Sequence, residues 1–567
     1  MVALCGMARA QQLEPDYYIF PVKDVAGLYS SNFGEMRTNH FHSGIDIKTN
    51  GVEGKPVVAT ADGYISRIFQ SPSGYGLALY VNHPNGTMTV YGHLQRFRSD
   101  IARYVYKERH RQKKHRVDLY LSAETFPVKQ GDTIALSGNS GSSGGPHLHY
   151  EIRDLKNQKT LNIFAAGVIM PKDDIAPLIQ KLHYVEVDSI GGVPRHSRIT
   201  SYDLQHDGTL YTPVQTSPIK VGRKGYFIVE VSDRKNDTQN RYGVYHLEAS
   251  VDGKPFYEYR NDGFTFDITR YCNSVAYYPL QRSSRNEVFR LAKEQGCIDR
   301  LYSKIVNRGV ITTTEGERRT ITITATDDCI NTSTLEFEII GKPDNECFHS
   351  TGITSTNIAY YNKQFNAIFE DVSITIPSGA LYESKEVEIS RYTQPVKSSA
   401  TRPQLSEAYV VGSKNIPLHK AMTLSFVAPT TDVAARQVVI ASVNNKQEMV
   451  YAGGKNQDGK VTLKTSSFGT YCLTCDTTAP TITPKFTDGA DLSANKSVAF
   501  ALKDDFTGVS SYSITIDGRW VAIDYARGVA AVSLVDEKIE GGTKHDITIT
   551  VSDGCGNKSS WSGSFIR

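Results

Sequence analysis

Apolar and polar positions alternate with a period of two through most of this chain. The runs VVATADGYISRIF, LALYVNHPNGTMTVYGHL, YFIVEVSDRKN, HLEASVDGKPFYEY, VSITIPSGALYESKEVEISRY and HDITITVSDGCGNKSS all show it. Successive side chains of a strand point to opposite faces, so this period predicts short strands with one face on a core. In the second run, HPNG separates two such segments, which is a hairpin signal. Helical periodicity is scarce. It is expected in a polar, partly helical insertion around Arg103–Arg116 and in a helix over Arg285–Ile305. The pattern predicts a mainly β protein.

At 567 residues the chain is too long for one core, and changes of texture divide it. Residues 11–170 form a first domain rich in Gly and His. MPKDDIAPLIQ, with two prolines and a cluster of charge, reads as a linker. Residues 179–342 are expected to form a β-sandwich carrying the helical insertion, and 345–476 a second sandwich. DTTAPTITP opens a third sandwich over 477–567. The stretches VSDRKND, ATDDCINTS and VSDGCGNKS each close a strand with an Asp and a polar turn. They resemble one another as copies of a weakly repeated immunoglobulin-like module. Asp233, Asp327 and Asp553 in these turns could hold calcium, but Asx turns account for them better.

Composition narrows the function. A formal charge of +3 gives no general attraction to nucleic acid, and no nucleic-acid partner is expected. Arg103–Arg116 carries seven Lys or Arg against one Glu. It reads either as a solvated insertion, with His110 and His115 in water, or as a contact surface for an anionic polymer or acidic headgroups. No run of about 18 apolar residues occurs, so no transmembrane segment is expected. Residues 1–10 read as the remnant of a signal peptide, with Ala8-Arg9-Ala10 as a small-x-small cleavage site and the charged n-region missing. Export is expected. Cys5 is a poor lipoprotein acceptor because Leu4 stands where a small residue belongs. Eight cysteines are too few for a disulfide scaffold. The CxxC of Cys472 and Cys475 lies in an alternating run and reads as two ordinary strand cysteines.

Eight of the fifteen histidines fall between His40 and His149, so the search for chemistry concentrates there. In GGPHLHYEIRD, strand alternation puts His147, His149 and Glu151 on one face and Leu148, Tyr150 and Ile152 on the other. In NHFHSGIDIKTN, His42 and Asp46 also share parity, with Ile45 and Ile47 turned to the core. Gly44 permits a kink or a close backbone approach. Two imidazoles and one carboxylate, with one position left to water, make a plausible catalytic zinc set. Zinc lowers the pKa of such a water to about 7. A base must still hold that water and pass its proton on. His147 is the natural candidate, and His93 in VYGHL is a second histidine able to close the site. His40 shares the parity of His42 but lacks an Asp four residues on, and His83 reads as a turn residue. The helical zinc motif HExxH is absent, since no His is followed by Glu. GSSGGP, Gly141–Pro146, resembles the nucleophile loop of chymotrypsin-like proteases, but Ser142 replaces the Asp and no companion histidine motif exists.

HSGID, YGHL and GPHLHYEIR, in that order, resemble the lysostaphin/LytM-type zinc metallopeptidases of bacterial cell walls. SNFGEMR, GKPVVATADGYI and VKQGDTIALSGNSGSSGGPHLH extend the likeness over about Tyr17–Asp154. The resemblance implies an antiparallel β metallopeptidase domain with a groove for an extended peptide, followed here by two to three β-sandwich domains. It implies one Zn2+ per chain, with His42, Asp46 and His149 as ligands and His147 and His93 as catalytic histidines. The expected function is a secreted zinc endopeptidase hydrolysing peptide bonds in peptidoglycan stems or cross-links. The periplasm or envelope of a Gram-negative bacterium is the expected location. The sandwiches are the expected surface for envelope protein partners. The segment Arg98–Thr125 is longer than the family's usual spacing, which puts specificity rather than catalysis in question. Two alternatives remain at this stage: a non-catalytic, metal-retaining module that regulates another wall hydrolase, and a zinc peptidase acting on secreted proteins.

Overall fold

A computed structural model describes residues 13–350 and 357–567. The signal-peptide remnant and Cys5 lie outside these residues. The chain is mainly β and divides into two compact units, Met1–Ala102 with Asp118–Gly352, and Arg103–Val117 with Ile353–Arg567.

In the first unit, a 12-stranded sheet holds the histidine-rich segment. The strand His147–Asp154 lies between Ile45–Lys48 and Thr87–Phe97, antiparallel to both. Its alternation works as the pattern predicts. Leu148, Tyr150 and Ile152 are fully buried on the core side with Ile45, Ile47 and Tyr91. Gly44 is required by close approach, because a Cβ there would sit 2.3 Å from the Tyr150 carbonyl oxygen. His93 takes a left-handed φ of 58°, uncommon for a non-glycine residue and found where a site constrains the backbone.

From Leu178 onward, where the first sandwich is expected, the same unit contains a 13-stranded mixed sheet whose two halves share one core, with Leu182 and Phe227 from one and Leu247 and Ile323 from the other. The two sheets are not independent. Thr160–Leu161 pairs with Gly263–Phe264. The hairpin Met36–Arg37/His40–Phe41 inserts Met36 and Phe41, with Phe33, into an apolar core shared with Leu247, Tyr259 and Phe264. Burying such a side chain contributes about 1.5–3 kcal/mol. The segment 171–177 forms no strand, as a linker would, but Asp173 within it is buried against Lys235.

The expected helix over Arg285–Ile305 is corrected. Glu287–Arg290 is a buried strand paired with Ile228–Val231, and Tyr302–Ile305 is another strand. The short helices lie earlier, at Cys272–Val275 and Tyr278–Gln281. Helix-forming residues at helical spacing lose here to a place inside a sheet, since tertiary packing overrides local propensity.

In the second unit, two five-stranded sheets share a core that includes Ile374, Leu424, Ile440 and Leu473. Cys472 and Cys475 are buried on the strand Gly469–Cys475, unbonded to each other. A four-stranded and a five-stranded sheet then enclose Phe500, Val532, Ile549 and Phe565. Asp327 and Asp553 do form Asx turns. Each accepts hydrogen bonds from the backbone N–H groups two and four residues on, and from the side chain of Asn331 or Asn557. Asp233 departs from this and pairs with Lys235.

The basic insertion is helical over Ser99–Gln112. Its expected solvation is corrected for His110 and His115. Arg109 is buried, donating to Asp524 and to the Ile523 carbonyl. His110 meets Glu537 at 3.0 Å, and His115 stacks on Trp520 at 5.0 Å between centroids. A buried guanidinium and partly covered aromatic rings match partners in residues 477–567, which the charge count alone does not reveal.

Candidate metal centre

Strand register builds the site. Asp46 lies directly across from His149 on one side, and Gly92 on the other, which brings His93 alongside. His42 is outside a strand. It is delivered by the hairpin, with its N–H donating to the Glu35 carbonyl and its own carbonyl accepting from Gly34. Three atoms converge. His149 Nδ1 is 2.9 Å from Asp46 Oδ1, His42 Nε2 is 3.2 Å from the same oxygen, and the two nitrogens are 3.2 Å apart. All three side chains are nearly buried. His147 Nε2 stands 3.6 Å from Asp46 Oδ1, and the His93 ring lies 4.8 Å from that of His147. The five residues singled out in the sequence are thus brought together. His40 is exposed and turned to the Thr38 carbonyl, and His83 is buried between the Asp62 carbonyl and Thr89.

Each outer ring nitrogen faces a group that can only accept, so each carries the proton. His42 Nδ1 donates to the Asn32 carbonyl at 2.7 Å, His93 Nδ1 to the Ser140 carbonyl at 2.8 Å and His147 Nδ1 to the Gly145 carbonyl at 2.8 Å. His149 Nε2 donates to Glu151 Oε1 at 2.7 Å. That turns the other nitrogen of each ring toward the shared centre, where a bound cation would take its lone pair. This also disposes of serine chemistry. Ser143 Oγ is 3.2 Å from His147 Nδ1, but that nitrogen is a donor to Gly145 and cannot act as its base.

Glu151 is the residue whose role the motif spacing did not disclose. It is fully buried, and its Oε1 accepts from His149, Ser43 and Tyr75 while Oε2 accepts from Arg153. Burial opposes its charge, but Arg153 and His149 outweigh burial and hold its pKa low. Asp46 is likewise held low against burial by His42 and His149. Burial works against protonation of His149 too, yet bonds to Asp46 and Glu151 raise it to about 9. His93 is pushed down to about 4, by burial and then by the His149 and His147 rings, so it is neutral at pH 7. Parity placed Glu151 on the ligand face; its even spacing from His149 was the available signal.

The donor set fits zinc. Bonds of about 2.0–2.1 Å in a tetrahedron set ligands about 3.3 Å apart, close to the three spacings observed. A proton shared by His149 Nδ1 and Asp46 balances only part of the site. A divalent cation at the same point also satisfies His42 Nε2. The Glu151 carboxylate that accepts from His149 Nε2 is the usual device for orienting a metal-binding imidazole.

The profile of peptidase family M23 matches residues 40–109, and that of the Zu5-like domain matches residues 356–476. The chain carries a peptidase family M23 domain near its N-terminus. The DD-carboxypeptidase/endopeptidase Mpg of Neisseria meningitidis is 34% identical to it over 119 residues, 21% of this chain and 21% of Mpg. The murein hydrolase activator NlpD of Salmonella typhimurium is 30% identical over 127 residues, 22% of this chain and 26% of NlpD. Among solved structures, a zinc-containing peptidase from Vibrio cholerae is 28% identical, with a TM-score of 0.18, covering 24% of this chain and 35% of that one. The M23 domain is therefore the shared part, and the matches cover only 18%, 21% and 35% of three such relatives' own lengths.

Proposed function

We propose that this chain is an exported zinc-dependent endopeptidase that hydrolyses peptide bonds in peptidoglycan stems or cross-links, in the periplasm or envelope of a Gram-negative bacterium. The carrying observation is the convergence of His42 Nε2, Asp46 Oδ1 and His149 Nδ1, with two further histidines beside it. His42, Asp46 and His149 hold the zinc. When bound, zinc supplies a Lewis acid that activates water and polarises the scissile carbonyl. His147, with Nδ1–H held by Gly145, presents Nε2 to take a proton from the attacking water and return it to the leaving amine. His93 is neutral and held by Ser140, suited to steadying charge that develops on the substrate oxygen.

Mass spectrometry of fragments released from purified sacculi, with and without chelator, tests the proposal. Peptide fragments that disappear with chelator are expected. His149→Ala should lose zinc and hydrolysis together. His147→Ala should keep most of the zinc and lose at least about a hundredfold in rate, the usual contribution of a general base. Full hydrolysis by both variants would refute the assignment.

Likeness to NlpD favours a second reading, a metal-retaining module that activates another wall hydrolase. Stoichiometric zinc in a chain that releases nothing from sacculi, yet accelerates a second murein hydrolase, would support it.

A further inference from the structure

We infer that the β-sandwich following the M23 domain completes its metal centre, with Asn32 as the positioning residue through which it acts. The inference rests on His42 being a metal ligand. The tautomer of His42 is set by the Asn32 carbonyl, 2.7 Å from Nδ1. Asn32 is only 1% exposed, and its carboxamide is spent entirely on the sandwich. Its Oδ1 accepts from the Gly243 N–H at 3.0 Å, and its Nδ2 donates to the Gly243 carbonyl at 2.8 Å and to Asp328 Oδ2 at 2.9 Å. Asp328 is itself fixed, because its other oxygen accepts from the buried ammonium of Lys235 at 2.6 Å, and Asp173 braces that ammonium at 3.0 Å.

A second clamp holds the other strand of the same loop. Glu287 is buried in the sandwich, with Oε1 accepting from the Met36 N–H at 2.8 Å and Oε2 from the Val244 N–H at 3.0 Å. The Phe41 N–H, next to His42, donates to Thr269 Oγ1 at 2.8 Å. Phe33 and Phe41 sit in the sandwich core. These anchors of the loop that carries His42 come from a domain outside the M23 fold, while Ser43 ties the loop's far end to Glu151 within it. The other two ligands need none of this, since they face each other across strands of their own sheet. The sandwich acts on one ligand of three, and on its direction rather than its identity. Outer partners that orient a metal ligand change metal affinity by 10–100-fold when removed.

The test uses the full chain loaded with zinc and titrated with a chromophoric chelator. Asn32→Ala keeps the backbone carbonyl that His42 uses and removes only its anchor. It should lose zinc at about 10–100-fold lower chelator concentration. The visible spectrum of the Co2+ form should also change in intensity, reporting altered ligand geometry. Ile323→Ala, deep in the same sandwich core, is the control. It should lower the melting temperature comparably while leaving zinc affinity within about twofold of wild type. If Asn32→Ala does not fold, Asn32→Ser, which cannot reach both Gly243 and Asp328, is read in the same way. Wild-type affinity and an unchanged Co2+ spectrum in the Asn32 variant would overturn the inference. Equal losses in the Ile323 control would also overturn it. A wild-type chain that takes up no zinc would overturn the metal-site reading itself, which is a separate result.

Discussion

Four histidines in this protein do the same thing at one ring nitrogen: they give a proton to an acceptor that cannot move. Three of the acceptors are backbone carbonyls and one is Glu151. The carboxylate is the most consequential, because it also carries Arg153, Tyr75 and Ser43. Glu151→Gln removes the charge and places an amide where an acceptor is needed. It should weaken zinc binding by about 10–100-fold, as measured by chelator competition. It also leaves the buried Arg153 without its partner, a change that costs about 3–5 kcal/mol in comparable cases. A melting temperature and zinc affinity both equal to wild type would show that Glu151 does not orient His149. At this scale the sequence was informative about the inner residues, because His147, His149 and Glu151 lie on one strand whose period is two. It was silent about Asn32 and Tyr75. Their contacts join positions 10 and 76 apart in the chain, and no periodicity relates them.

Among elements, the insertion helix Ser99–Gln112 and the turn after it show how charge can mislead. Seven basic residues suggested a face for solvent or a polyanion. The segment instead uses Arg109, His110 and His115 to pack against residues of the last sandwich. His115 Nδ1 accepts from the Ile523 N–H, which requires the unprotonated ring. Burial, and then the nearby Arg109, push its pKa down to about 4, although Asp524 works the other way. A base with its folded pKa below the unfolded value of about 6.5 stabilises docking fully above that value. The contribution is lost as pH falls from about 6.5 toward about 4. Trp520 fluorescence should therefore change over that window, and the transition should vanish in His115→Phe, which keeps the stack. An identical transition in the variant would assign it to another group. The strand Glu287–Arg290 makes the converse point. Its flanking sequence has helical spacing, and Arg290 even pairs with Glu294, but all four residues are buried in a strand paired with Ile228–Val231. Local propensity amounts to a few tenths of a kcal/mol per residue, and burial to a kcal/mol or more, so burial wins.

For the whole molecule, two compact units predict two unfolding events. The candidate metal ligands all lie in the first unit. Scanning calorimetry should resolve at least two transitions, and chelator should lower only the one belonging to Met1–Ala102 and Asp118–Gly352. Saturation at a hundredfold over Kd stabilises a folded state by about 2.7 kcal/mol, enough to shift the transition of a unit this large by a few degrees. A single transition that moves as a whole with chelator would mean that the units unfold together.

The sequence by itself determined the β class, the face that carries the histidines and the identity of the candidate metal donors. These depend on a period of two and on donor chemistry, both of which are local. Tertiary structure alone decided what holds those donors in place. The anchor of His42 lies more than 200 residues downstream at Gly243, Glu287 and Asp328, and the partners of the basic insertion lie more than 400 downstream at Ile523 and Glu537. Contacts of that range depend on which surfaces meet in the fold, and a chain read in order carries no record of it.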